Sequence, residues 1–119
     1  MDRKELGTFG ERKAADYLRR KGYRIVDSNY SCRFGEIDIV ASRDGYIVFV
    51  EVKLRKNADF AEAREFVNYS KQQRIIKTAQ LWLTVNKCQL QPRFDVIEVY
   101  APCGTAGSVR INHLENAFM

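Results

Sequence analysis

The sequence predicts an α/β domain: a mixed central β-sheet of four to five strands flanked by α-helices, in the order αβββαβ. Three observations predict it. Two long segments carry apolar residues at helical spacing. Several shorter ones alternate as strands do. Between two of those strands lies Asp44-Gly45, a dipeptide that favours a tight hairpin turn. The chain has 119 residues without a linker, repeat or low-complexity stretch, so one domain is expected over 1–119.

The elements follow in order. In residues 3–21, Leu6, Phe9, Ala14, Tyr17 and Leu18 recur at helical spacing, and Gly22 is placed to end the helix. Glu11 falls at the edge of that apolar face. Arg19, Arg20, Lys21 and Arg24 gather at the helix end, where cations suit the dipole. Residues 23–31 read as a strand and a loop, and residues 36–42 and 46–54 as the two strands of the hairpin. Residues 69–86 form a second helix, with Ile75, Ile76, Ala79, Trp82, Leu83 and Val85 near one side. Residues 94–100 give a fourth strand and 108–114 a fifth. The segment 59–68 is polar and mixed; its pattern assigns no element, and a mobile loop over the site is one reading of it.

Composition excludes several classes. No apolar run approaches the roughly 20 residues of a membrane span, and the first residues lack the apolar core of a secretory signal. Cys32, Cys88 and Cys103 are odd in number and form no C-x-x-C pair, and His113 is the single histidine. A zinc site, a disulfide framework and triad catalysis through histidine are all disfavoured. Reduced thiols fit a cytoplasmic protein. Twenty basic residues against fifteen acidic give a net charge of +5. That permits a polyanionic partner without proving one.

The hairpin is the most informative stretch. With Asp44-Gly45 as the loop, Arg43 pairs with Tyr46, Asp38 with Glu51 and Glu36 with Lys53. Alternation places these four side chains on one face. Opposed carboxylates repel; Ile37, Ile39, Val48, Val50 and Val52 make the other face apolar, and Val40, Ile47 and Phe49 carry apolar character onto the acidic one. A buried acidic pair calls for a proton or a cation. Lys53 alone cannot neutralise three acids, whereas Mg²⁺ or Mn²⁺ with hard oxygen ligands can. An ordinary solvent-facing alternation of charges is the competing reading of Glu51-Val52-Lys53.

At these residues the sequence resembles the PD-(D/E)XK nuclease superfamily, in which an acid on one strand precedes Glu-x-Lys on the next. The likeness extends to the YraN-like family of small bacterial proteins. It runs through Gly10-Glu11, Arg33-Phe34-Gly35-Glu36-Ile37-Asp38, Val48-Phe49-Val50-Glu51-Val52-Lys53 with Arg55, Arg93-Phe94-Asp95-Val96 and Asn116-Ala117-Phe118. That family is similar to archaeal Holliday junction resolvases and is described as predicted endonucleases. The resemblance implies a restriction-endonuclease-like fold and metal-dependent hydrolysis of phosphodiesters in DNA, branched or repair intermediates included. It implies that Asp38 and Glu51 bind the metal, that Lys53 is catalytic, and that Glu11 and the Val52 carbonyl complete the site. Ile37 stands where the nominal motif has proline. Glu36 is expected beside the site, paired with Lys53. The alternative function is a non-catalytic nucleic-acid-binding module of the same fold.

Arg33, Arg55, Lys71, Arg74 and Lys77 are candidates for phosphate contact. The last three share a helix face that can equally be a solvated one. Gln72 is a candidate for the edge of the metal site. Arg93 and Asp95 read as a structural ion pair, Trp82 as core and His113 as structural. Tyr30, Tyr46 and Tyr69 read as half-buried packing residues that could otherwise stack on bases. Two symmetric cuts in a branched substrate would need two sites, and hence a homodimer.

Overall fold

The structure is a computed structural model that describes residues 3–56 and 67–118. Helix α1 (Arg3–Arg20) leads into three antiparallel strands, β1 (Arg24–Cys32), β2 (Gly35–Arg43) and β3 (Tyr46–Arg55). Helix α2 (Tyr69–Val85) precedes β4 (Gln91–Tyr100), which lies parallel to β3, and β5 (Arg110–Leu114) closes the sheet antiparallel to β4. The spatial order is the chain order, β1 to β5. The predicted mixed α/β architecture and element order hold. They are compatible with a restriction-endonuclease-like fold. The expected loop at the end of β1 is absorbed into the strand. The segment 59–68, for which a mobile loop is one reading, lies mostly outside the described residues.

Local chemistry accounts for the boundaries. Tyr23 N–H donates to the Leu18 carbonyl at 2.9 Å and Gly22 takes φ +90°, a left-handed cap that ends α1. Asp44 and Gly45 both have positive φ, as a two-residue turn between twisted strands requires. Asn68 caps α2, its side-chain oxygen accepting from Lys71 N–H at 2.9 Å.

The helices cover opposite faces of the sheet. Ala14 and Leu18 of α1 pack with Ile39, Ala41, Val48, Val50, Ile97 and Val99. Ile75, Ala79 and Trp82 of α2 pack with Val40, Ile47, Phe49, Phe94 and Val96. Val48 and Phe49 are both buried, as a strand covered on two sides requires. Ile37 corrects one expectation: it joins the α2 cluster rather than sharing a face with Ile39. The break in alternation falls at Asp38, where β2 parts from β3.

Arg93 and Asp95 form the expected ion pair at 2.8 Å, and more than a pair. Asp95 is fully buried and also meets His113 Nε2 at 2.6 Å and Asn116 N–H at 2.9 Å. Arg93 donates to the Tyr23 hydroxyl, and Tyr17 meets the other ring nitrogen of His113. This network ties β4 to β5 and to α1. Among the described residues no helix is long and apolar enough to cross a membrane, and the three cysteines are free thiols.

Candidate active site

The predicted hairpin register is correct as far as it runs. Arg43↔Tyr46, Ser42↔Ile47, Ala41↔Val48, Val40↔Phe49 and Ile39↔Val50 are paired. The next pair would be Asp38 with Glu51, and there the ladder stops. β2 continues along β1 to Gly35, while β3 continues along β4 to Arg55. Asp38 and Glu51 are therefore not backbone partners, nor are Glu36 and Lys53. Val52 N–H instead donates to Asp38 Oδ2 at 2.8 Å. A side-chain acceptor has replaced a backbone one, and the strands fork around it.

The fork opens a cavity of about 320 Å³. Glu36, Asp38, Glu51, Val52 and Lys53 line it from the strands, and Lys71, Arg74 and Ile75 from α2. Gly35 lies against the helix. It takes φ +152°, and a side chain there would meet Thr78 Oγ1 at 3.5 Å and Arg74 Cβ at 3.6 Å. Those are ordinary packing distances, so it is the positive φ, which glycine holds without strain, that requires glycine at this strand start.

Asp38 and Glu51 share a hydrogen bond. The Asp38 carboxyl is pushed up to about 8 by burial and by the Glu51 charge, against the lowering effect of Val52 N–H. The pair thus holds a proton near neutral pH. Glu51 is 7 % exposed. Its Oε2 lies 3.5 Å from Lys53 Nζ and pairs directly with Lys71 Nζ. Burial and the neighbouring Lys71 lower the Lys53 ammonium from its ordinary value, partly offset by Glu51. Burial, the largest single effect, lowers Lys71, but its hydrogen bonds to Glu51 and Lys53 and the charges of Glu51 and Asp38 together outweigh that and raise it. Two ammonium groups thus converge on one carboxylate oxygen.

Glu11 stands at the border of this set. It hydrogen-bonds Asn29 of β1, and its carboxyl is raised by burial and by the charges of Glu36 and Glu51. It feels the acids without lining the cavity. Glu36 is exposed at the rim. The ion pair that Lys53 makes with a site acid is within β3, to Glu51.

The phosphate candidates separate. Lys71 and Arg74 line the cavity. Lys77 is exposed beyond it. Arg33 is exposed, with its guanidinium over the Phe34 ring at 4.9 Å. Arg55 is mostly buried, its Nε 3.5 Å from Glu98 Oε2. Gln72 does not reach the acids. It donates to the Val67 carbonyl and lines a separate cavity with Val96 and Phe118, since one residue on from Lys71 turns it about 100° around the helix.

Glu98 is a buried acid that the sequence reading passed over. It is 3 % exposed and accepts from the Tyr100 hydroxyl and Asn112 Nδ2. It lies opposite Lys53 in the parallel ladder, next to the site. A lone acid within Val96-Ile97-Glu98-Val99-Tyr100 was the available signal.

Residues 10–99 match the uncharacterised protein family UPF0102. The chain belongs to this family. It is similar to the UPF0102 protein of Caldanaerobacter subterraneus subsp. tengcongensis, 44 % identical over 119 residues, covering 99 % of this chain and 98 % of that one. The UPF0102 protein of Alkaliphilus oremlandii is 47 % identical over 118 residues, covering 97 % and 98 %. That of Clostridioides difficile is 44 % identical over 119 residues, covering 99 % and 100 %. Matches of this length put the fork, both lysines and the α2 face inside the region this UPF0102 chain has in common with its relatives.

The Asp38 and Glu51 carboxylates, the latter largely buried, are hard oxygen donors of the kind that divalent cations such as Mg²⁺ take. Among the described residues, no three His, Cys, Asp or Glu side chains converge closely enough to hold a metal by themselves.

Proposed function

We propose that this UPF0102 protein is a metal-dependent endonuclease that hydrolyses phosphodiester bonds in DNA. The observation that carries the reading is the contact of Asp38 with Glu51 in an open cavity flanked by Lys53, Lys71 and Arg74. Such a set is costly for folding and well suited to phosphoryl chemistry. Asp38 and Glu51 would hold Mg²⁺ or Mn²⁺, with the Val52 carbonyl assisting and Glu11 supporting from α1. Mg²⁺ keeps several waters, so two protein carboxylates are a sufficient anchor. When bound, the metal supplies Lewis acidity toward a phosphate oxygen and acidifies water.

The chain's own groups do the rest. Lys53 is rooted on β3 and held by Glu51, so its ammonium faces the cavity in a fixed place. Its lowered pKa suits a group that orients an attacking water or stabilises developing negative charge. Arg74 is exposed at the cavity mouth, where a guanidinium can take two oxygens of a phosphate. Arg33 and Lys77 extend the positive surface beyond it.

The test is cleavage of single-stranded, duplex and four-way-junction DNA with Mg²⁺, Mn²⁺ or EDTA. Metal-dependent cutting is expected, lost in Glu51→Ala, Asp38→Ala and Lys53→Ala while circular dichroism stays unchanged. Full activity in Glu51→Ala sinks the assignment. A second reading, a non-catalytic nucleic-acid-binding module, is favoured by one observation: Lys71 already neutralises Glu51. DNA binding that persists in EDTA, with no cutting on any substrate, would select it.

A further inference from the structure

We propose that Lys71 is a resident counter-cation of Glu51 that a divalent metal must displace on entry. The inference rests on the metal-dependent reading above and concerns how the site exists without its metal. Glu51 is largely buried, and a buried carboxylate needs positive charge beside it. Two ammonium groups supply it, and they are not equivalent. Lys53 shares a strand with Glu51, two residues on, and its side chain is 24 % exposed. It is bound to the place the sheet gives it. Lys71 comes from the first turn of α2, and its side chain is 37 % exposed. Its backbone is pinned by the Asn68 cap at 2.9 Å, yet its four-carbon stem can swing.

The two interactions also compete for one atom. Lys71 Nζ sits on Glu51 Oε2, and a metal drawn to the carboxylate pair needs that oxygen or one beside it. An ammonium and a divalent cation repel strongly at such separations. The group with somewhere to go is Lys71. Arg74, one turn along α2, lines the same cavity and is exposed, so the swing leads toward the open mouth. Charge points the same way. Three cations (Lys53, Lys71, Arg74) line the cavity beside Glu36, Asp38 and Glu51, so the metal-free acids are already supplied with positive charge before any ion arrives.

The experiment is calorimetric titration of Mn²⁺ into the full chain, with electron paramagnetic resonance counting bound Mn²⁺. Lys71→Met and Lys71→Gln are compared with the wild type and with Arg20→Met, which removes one cation from the far end of α1. Both Lys71 variants are expected to bind Mn²⁺ about tenfold more tightly, with Arg20→Met like the wild type. Their metal-free melting temperature should fall, and added Mn²⁺ should restore it. Should Lys71→Met fail to fold, Lys71→Gln carries the comparison, since it keeps a hydrogen bond without the charge. Equal or weaker Mn²⁺ binding by the variants, with binding by the wild type, overturns this inference and leaves the metal site standing. No Mn²⁺ bound by any of the chains overturns both.

Discussion

Asp38 and Glu51 meet at the fork, and burial and the Glu51 charge push the Asp38 carboxyl up to about 8, which defines the site at the scale of one residue pair. The Asp38 proton stays because burial and the Glu51 charge disfavour a second anion. Asn at position 38 would supply the same hydrogen bond without that conflict, and its side-chain oxygen can still accept Val52 N–H. Asp38→Asn is therefore expected to stabilise the metal-free protein by about 1–3 kcal/mol while abolishing metal binding and cleavage. Urea unfolding of both proteins in EDTA checks it, and an unchanged or lower midpoint would remove the claim that the pair is strained. The pairing of these acids was legible in the sequence, since register arithmetic from Asp44-Gly45 puts them side by side. That they sit where the ladder ends was not. The arithmetic carries the ladder onward, whereas the carboxylates repel and Val52 N–H finds Asp38 instead of a backbone carbonyl.

At the scale of elements, α2 completes the site and β4 secures it. Lys71, Arg74 and Lys77 share a helix face by spacing alone. Only the approach of α2 to Gly35 decides that the first two reach the cavity and the third does not. Gly35→Ala places a methyl against Arg74 and Thr78 at a φ that disfavours it. It is expected to cost about 1–2 kcal/mol through the backbone strain and to weaken cleavage by disturbing the β2 start that carries Glu36 and Asp38, more than a surface substitution on β1 does. Melting temperature and initial cleavage rate, measured on the same preparation, test the two effects together. Asp95 was legible as an ion pair with Arg93, but its bonds to His113 and Asn116 span 18 and 21 residues and left no local pattern. Burial alone would raise the Asp95 carboxyl. The bonds from His113, Arg93 and Asn116 outweigh it, and the carboxyl lies below its ordinary value. The sign follows: its stabilising contribution is present above the ordinary carboxylate range and is lost as pH falls through the depressed value. Asp95→Ala leaves buried donors unpaired and is expected to cost about 3–5 kcal/mol at pH 7. The difference between the two proteins should shrink toward pH 3, and a constant difference across that range would show that the carboxylate charge is not what matters.

At the scale of the whole molecule, a chain with net charge +5 has a modest field with which to hold DNA. What it has is placed unevenly. Lys53, Lys71 and Arg74 surround the acids. Lys77 and Arg33 stand outside the cavity, and Arg19, Arg20 and Arg24 lie at the end of α1 and the start of β1. If the cavity is where a phosphate sits, affinity for duplex DNA should depend on few contacts. With Glu51→Ala used to prevent cutting, the slope of log affinity against log salt should correspond to about three to five phosphates. Arg74→Ala should lower that slope by about one, and Arg20→Ala should leave it alone. A slope of zero would mean that DNA is not the ligand. Equal effects of Arg74→Ala and Arg20→Ala would mean that binding is diffuse and that the fork does not set the register of the substrate. A four-way junction adds a further demand, since two symmetric cuts need two forks. Sedimentation of the Glu51→Ala chain with and without a junction should then show two chains on each bound junction. One chain per junction would confine the activity to single nicks.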